Sequence, residues 1–145
     1  MLNCVTLAAV TVVFVCEHGS VKSLVAQEWF NRRARERGLA VRAVSRGVTP
    51  DAAVPPAIVE ALRGDGFDVS AFHPRALAEA DVAGAARVVL IGVDGEPPLP
   101  AAGGMVDRWD GIPPASQDYS ASRDAMKARI EKLLDALARG RPTLP

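Results

Sequence analysis

What most constrains this chain is the run Thr11-Val12-Val13-Phe14-Val15 and the change of periodicity just beyond it. Consecutive β-branched and aromatic residues suit a strand covered on both faces, as the strands of parallel sheets are. After a small polar stretch at 16–21, the period changes. Val25, Ala26, Trp29, Phe30 and Ala34 share one stripe of a helix predicted over 22–37, and Gly38 ends it. A strand, a tight loop and a helix in that order open a βαβ unit, and a strand buried on both faces needs helices above and below it.

The alternation continues along the chain. Residues 39–45 read as a second strand; Gly47, Pro50 and Pro55-Pro56 mark a connection into a helix carrying Ile58, Val59 and Leu62. A short helix over 76–82 precedes a strand over 86–92 whose core is Val88-Val89-Leu90-Ile91. Residues 93–114 are rich in Gly and Pro, with one short strand at 105–109, and loops this long are usually functional or mobile. Asp118 caps a last helix with Met126, Ile130, Leu133, Leu134 and Leu137 on one face, ended by Gly140 and Pro142. The pattern predicts an α/β fold of three layers, α/β/α, around a four-stranded parallel sheet with ligands at the carboxyl ends of the strands. With no internal repeat or linker, 11–140 reads as a single domain between a leader at 1–10 and a tail at 141–145.

Composition narrows the function. The 145 residues hold 17 basic and 17 acidic side chains, a net charge of zero, which argues against nucleic acid or anionic membrane as a partner. Fourteen of the 17 cations are Arg, so a local anion site stays open. Two cysteines, Cys4 and Cys16, cannot form a disulfide framework, a four-thiolate zinc site or a CxxC redox pair, and no metal site is expected. The apolar run at 4–16 lacks a basic n-region and is too short to span a bilayer. The expected location is therefore cytoplasmic, where a thiol stays reduced.

The loop after the first strand carries the chemistry: Cys16-Glu17-His18-Gly19-Ser20-Val21-Lys22-Ser23. A cysteine here stands at the mouth of a loop whose successive N–H groups can turn inward, with the positive end of the next helix behind it. Such a nest binds a tetrahedral oxyanion and favours a nucleophilic thiolate. The layout Cys-x5-basic-Ser after strand one resembles the loop Cys-x-Gly-Asn-x-Cys-Arg-Ser of the low-molecular-weight protein tyrosine phosphatase superfamily, which includes thiol-dependent arsenate reductases. Three further stretches resemble that family in order. They are Ser45-Arg46-Gly47, the segment from Val69 to Leu77 with His73 in it, and Trp109-Asp110-Gly111-Ile112-Pro113-Pro114-Ala115-Ser116-Gln117-Asp118.

The resemblance implies roles. Cys16 is the nucleophile; Lys22 stands where the family has its phosphate-gripping Arg; Ser23 supports the thiolate. Glu17, His18, Gly19, Ser20, Val21, Lys22 and Ser23 form the anion loop, and Ser45 and His73 brace it. No cofactor is implied. Two departures touch the chemistry. Lys22 is a point charge without the guanidinium fork, and Pro113-Pro114 occupies the place of the family's acidic Asp-Pro pair. Asp110 is the nearest replacement acid, with Asp107 next, and Arg46 is expected to open toward the loop and supply what Lys22 lacks. Glu17 is expected to face outward.

Three functions compete. The first is hydrolysis of phosphomonoesters, phosphotyrosine in the family's usual case, through a phosphocysteine. Only Phe72, Trp109 and Tyr119 are available for an aromatic rim. The second is reduction of arsenate with an external thiol, since Cys4 is expected at the far end of strand one and cannot resolve an adduct on Cys16. The third is a non-catalytic oxyanion-binding or phosphocarrier module. Partners are accordingly phosphate, arsenate or a phosphorylated substrate, with an external thiol donor for the second reading.

Overall fold

A computed structural model describes residues 10–94 and 105–140. Most of the predicted leader, including Cys4, the middle of the 93–114 loop and the tail lie outside the described residues. The elements are β1 (Val10–Cys16), α1 (Lys22–Glu36), β2 (Val41–Gly47), α2 (Pro56–Gly64), α3 (Glu79–Ala83), β3 (Ala85–Ile91), β4 (Met105–Trp109) and α4 (Tyr119–Arg139). The strands form one sheet in the order β2-β1-β3-β4, with every pairing parallel. This is the predicted α/β fold.

Alternation along the strands divides the core in two. Val12 and Phe14 of β1 pack on one face with Leu24, Phe30, Ile58, Leu62, Met126, Ile130 and Leu134, so α1, α2 and α4 share that side. Val13 and Val15 point the other way and meet Val82, Val88 and Leu90 beneath the short α3. Each large apolar side chain fully buried in this way contributes about 1.5–3 kcal/mol. Arg33 of α1 clasps Glu131 of α4 at 2.8 Å and holds that carboxyl below the usual range.

The element ends follow local chemistry. Gly38, at φ +66°, ends α1 and delays β2 until Val41, two residues later than expected. The predicted helix at 76–82 starts only at Glu79, because residues 75–77 run extended beside Gly47: its N–H donates to the Arg75 carbonyl and its carbonyl accepts from Leu77 N–H. Pro56 opens α2, and the Asp118 carboxylate accepts from the Ala121 N–H to cap α4.

The order also locates the site. The chain leaves β1 toward β2 on one side and later returns to β3 on the other, so the ends of β1 and β3 flank a topological switch point.

Candidate active site

The loop from Cys16 to Val21 takes its shape from β2. Its carbonyls at Cys16, Glu17 and His18 accept from the N–H groups of Val48, Thr49 and Asp51 at 3.1, 2.7 and 3.0 Å. With those carbonyls committed outward, none of the N–H groups of residues 17–21 donates to a protein acceptor among the described residues. Gly19 makes the turn at φ +63° with its backbone against Gly47. The result is a row of loop amides without a described protein acceptor beside Cys16.

Beneath it runs a buried hydroxyl chain. Cys16 Sγ lies 3.0 Å from Ser23 Oγ, Ser23 Oγ lies 2.7 Å from Ser45 Oγ, and Ser45 Oγ lies 3.4 Å from the Gly19 carbonyl. Each hydroxyl has one proton to give. As a thiol, Cys16 donates to Ser23, Ser23 to Ser45 and Ser45 to Gly19. As a thiolate, it reverses the first two bonds, and Ser45 donates to Ser23 and Ser23 to sulfur. Both protonation states are therefore accommodated without moving a heavy atom.

Cys16, itself buried, opens onto a cavity of about 210 Å³ lined by Glu17, His18, Val21, Lys22, Ile91, Gly92, Pro114, Ala115 and Ser116. Lys22 is the first residue of α1, where a cation opposes the helix dipole. Its ammonium lies across Gly92, whose φ of +59° turns the chain out of β3, and it forms no ion pair among the described residues. A lysine so placed brings a positive charge to the cavity that no described carboxylate neutralises.

Several expected residues stand elsewhere. Arg46 does not reach the cavity: Ser45 points toward α1, so its neighbour must point to the other face. There the Arg46 guanidinium donates to Asp81 at 3.0 Å and to the Ser45 carbonyl at 2.8 Å, beside a separate hollow lined by Val13 and Val44. His73 is exposed and bonds no described residue; the 75–77 backbone braces Gly47 instead. Asp110 is exposed outside the lining, its carbonyl accepting from Arg129, and Asp107 pairs with Arg87. The aromatic candidates are also absent from the lining. Trp109 packs on Phe14, the Tyr119 hydroxyl donates to Asp65 at 2.8 Å, and Phe72 lies against the main core. Glu17 is exposed, as expected, at the rim.

Three contributions were not visible in the sequence. Asp51 accepts from Ser20 Oγ at 2.6 Å and sits 3.5 Å from His18 Nδ1; Gly92 seats Lys22; and Gln27 Oε1 receives the Ser45 N–H at 2.8 Å. The signal for Asp51 was its place just after Gly47 and Pro50, which reads as turn chemistry alone.

The family model for low molecular weight phosphotyrosine protein phosphatase matches residues 11–96, more than half of the chain. The chain belongs to that family. No curated protein sequence matches it. Among solved structures it is similar to the thioredoxin-dependent arsenate reductase of Corynebacterium glutamicum (TM-score 0.74, 20% identity, 94% of this chain and 66% of that one). It therefore spans just under two thirds of that enzyme's length. It is also similar to an arsenate reductase in the phosphate binding state (TM-score 0.73, 19% identity, covering 88% and 98%). A third relative is the low molecular weight protein tyrosine phosphatase of T. tengcongensis (TM-score 0.66, 23% identity, covering 88% and 99%). At these identities the structural matches establish the fold that this family member shares with both kinds of enzyme. Among the described residues, no helix is long and apolar enough to cross a membrane and no cluster suits a metal ion.

Proposed function

We propose that the chain hydrolyses phosphomonoesters through a phosphocysteine on Cys16. One arrangement carries this reading: a buried thiol, supported by Ser23 at 3.0 Å, faces a cavity rimmed by amides and an ammonium that have no partner among the described residues. The thiolate attacks phosphorus, the amides of residues 17–21 and Lys22 hold the phosphoryl oxygens, and water then releases phosphate. Preorganised donors of this kind are worth about 10²–10³ in rate each at an oxyanion. The cavity has room for a phosphoryl group and a small organic moiety but presents no described aromatic wall, which favours small or slender phosphate esters.

A second reading has its own support in the likeness to arsenate reductases. Arsenate fills the same nest, Cys16 sulfur displaces a hydroxide, taken off as water, and an external thiol then attacks that sulfur. The attack forms a mixed disulfide and leaves the bonding pair on arsenic as arsenite. Cys16 is the one cysteine among the described residues, and this reading takes its second thiol from an external donor.

The deciding experiment compares hydrolysis of nitrophenyl phosphate with arsenate-dependent oxidation of dithiol and small-thiol donors, in wild type and Cys16→Ser. Slow phosphate release that disappears in Cys16→Ser is expected. Equal rates in the two proteins would remove Cys16 as nucleophile, and arsenate-dependent thiol oxidation outrunning hydrolysis would make the second reading the activity. Tight phosphate binding without either turnover would leave an oxyanion-binding module.

A further inference from the structure

Resting on the phosphatase reading, we propose that His18 carries the proton to the leaving oxygen and that Asp51 is its positioning residue. An ester oxygen leaving phosphorus needs a proton, and the segment where the family keeps its acid offers Pro114, Ala115 and Ser116 to this cavity. Asp110 is exposed and outside the cavity lining, and the Asp107 carboxylate pairs with Arg87. Besides Cys16, the ionisable side chains at the cavity among the described residues are Glu17, His18 and Lys22.

Lys22 is the counter-charge for the oxyanion. The Glu17 carboxylate has no hydrogen bond to a described residue, so nothing described fixes its pose, and a carboxylate repels the dianionic phosphoryl group. His18 is held. Its Nδ1 lies 3.3 Å from the Thr49 carbonyl oxygen and 3.5 Å from Asp51 Oδ1. A carbonyl can only accept, so Nδ1 carries a proton and Nε2 is the nitrogen free to exchange one. Asp51 is itself pinned twice: Oδ2 accepts from the buried Ser20 hydroxyl at 2.6 Å, and its N–H donates to the His18 carbonyl at 3.0 Å. A fixed carboxylate on one ring nitrogen sets the tautomer and orientation of the other, as in hydrolytic triads.

The proton balance closes. The Cys16 thiolate forms the S–P bond while the P–O bond breaks, and the leaving oxygen takes the Nε2 proton of the His18 imidazolium. Nδ1–H stays on Thr49 and Asp51. In the second half, Nε2 removes a proton from water as its oxygen attacks phosphorus. The S–P pair returns to Cys16, phosphate departs, and the imidazolium is restored.

The test uses two substrates that differ in their need for a proton, phenyl phosphate and nitrophenyl phosphate. His18→Asn keeps a donor toward Thr49 and lacks Nε2. It is expected to lower kcat/KM on phenyl phosphate by about 10²-fold, at the low end for a lost general acid, with a much smaller loss on nitrophenyl phosphate. Inhibition by inorganic phosphate should be kept. Asp51→Asn should lower kcat on phenyl phosphate with KM held. Equal losses on both substrates, or none, with Cys16-dependent hydrolysis intact, overturn this assignment and leave the phosphatase reading standing; absence of any Cys16-dependent hydrolysis overturns both. Nitrogen NMR of the His18 ring gives a check independent of turnover: the neutral ring is expected as the Nδ1–H tautomer, and an Nε2–H tautomer overturns the proposal.

Discussion

Gly19 and Gly47 meet backbone to backbone. A β-carbon on Gly19 would lie 2.8 Å from the Gly47 nitrogen, and one on Gly47 would lie 2.7 Å from the Gly19 nitrogen. Neither neighbour can yield, because Gly47 is bonded on both sides to residues 75–77. Gly47→Ala is expected to cost about 1–3 kcal/mol of stability as an overpacked site. It should also weaken phosphate inhibition more than tenfold, since the loop must lift; denaturant midpoints and inhibition constants check both.

Ser23 and Ser45 are separable in the hydroxyl chain. Ser23→Ala removes the donor to the sulfur anion, and a hydrogen bond to a charged group is worth about 1.5–3 kcal/mol, or roughly 10–100-fold in kcat/KM. Ser45→Ala leaves Ser23 free to donate to sulfur, so its loss should be smaller. Steady-state rates on nitrophenyl phosphate give the ratio.

Lys22→Arg tests the most visible departure from the family. A guanidinium can hold two phosphoryl oxygens at once where an ammonium offers a single centre of charge. The substitution is expected to raise kcat on aryl phosphates, whereas Lys22→Ala should lose most phosphate affinity. An unchanged or lower kcat in Lys22→Arg would mark the lysine as fitted to a different anion.

Arg46→Ala serves as the remote control. Its guanidinium belongs to Asp81 and the Ser45 carbonyl on the far side of the sheet. Removing it should cost about 1 kcal/mol, since the Asp81 carboxylate keeps only the Ala78 N–H, with the phosphate inhibition constant unchanged. Thermal melts and inhibition assays on one preparation separate the two effects.

Tyr119 provides a pH signature. Burial, and then the hydrogen bond and charge of Asp65, hold its phenol above the usual tyrosine range. Folding thus favours the protonated phenol. Its contribution is complete below about pH 10, the ordinary tyrosine pKa, and is lost as pH rises toward the elevated folded value. Tyr119→Phe is expected to flatten the alkaline fall in melting temperature; an identical fall in both proteins would contradict this.

The strands and long helices were legible because burial imposes its period directly on Val12 to Val15, Val88 to Ile91 and the Met126 to Leu137 stripe. The loop was legible because Cys16, Gly19, Lys22 and Ser23 are adjacent in the chain. What was not legible depends on contacts between distant segments. Arg46 looked available until strand alternation sent it to the opposite face. His73 looked like a brace, yet neighbouring backbone atoms do that work. Asp51, 33 residues beyond His18 in the chain, gains its partners only when β1 and β2 are paired.

That pairing has a consequence for how the fold opens. β2 is an edge strand among the described residues, closed at its last residue by the bridge to 75–77, and the amides just beyond it are the ones that hold the loop carbonyls. The oxyanion nest therefore exists only while the edge is closed. Any bound anion acts as a latch, transmitting its affinity to β2: at a hundredfold excess over Kd, closure gains about 2.7 kcal/mol. Substrate concentration would then set how often this end of the molecule comes apart.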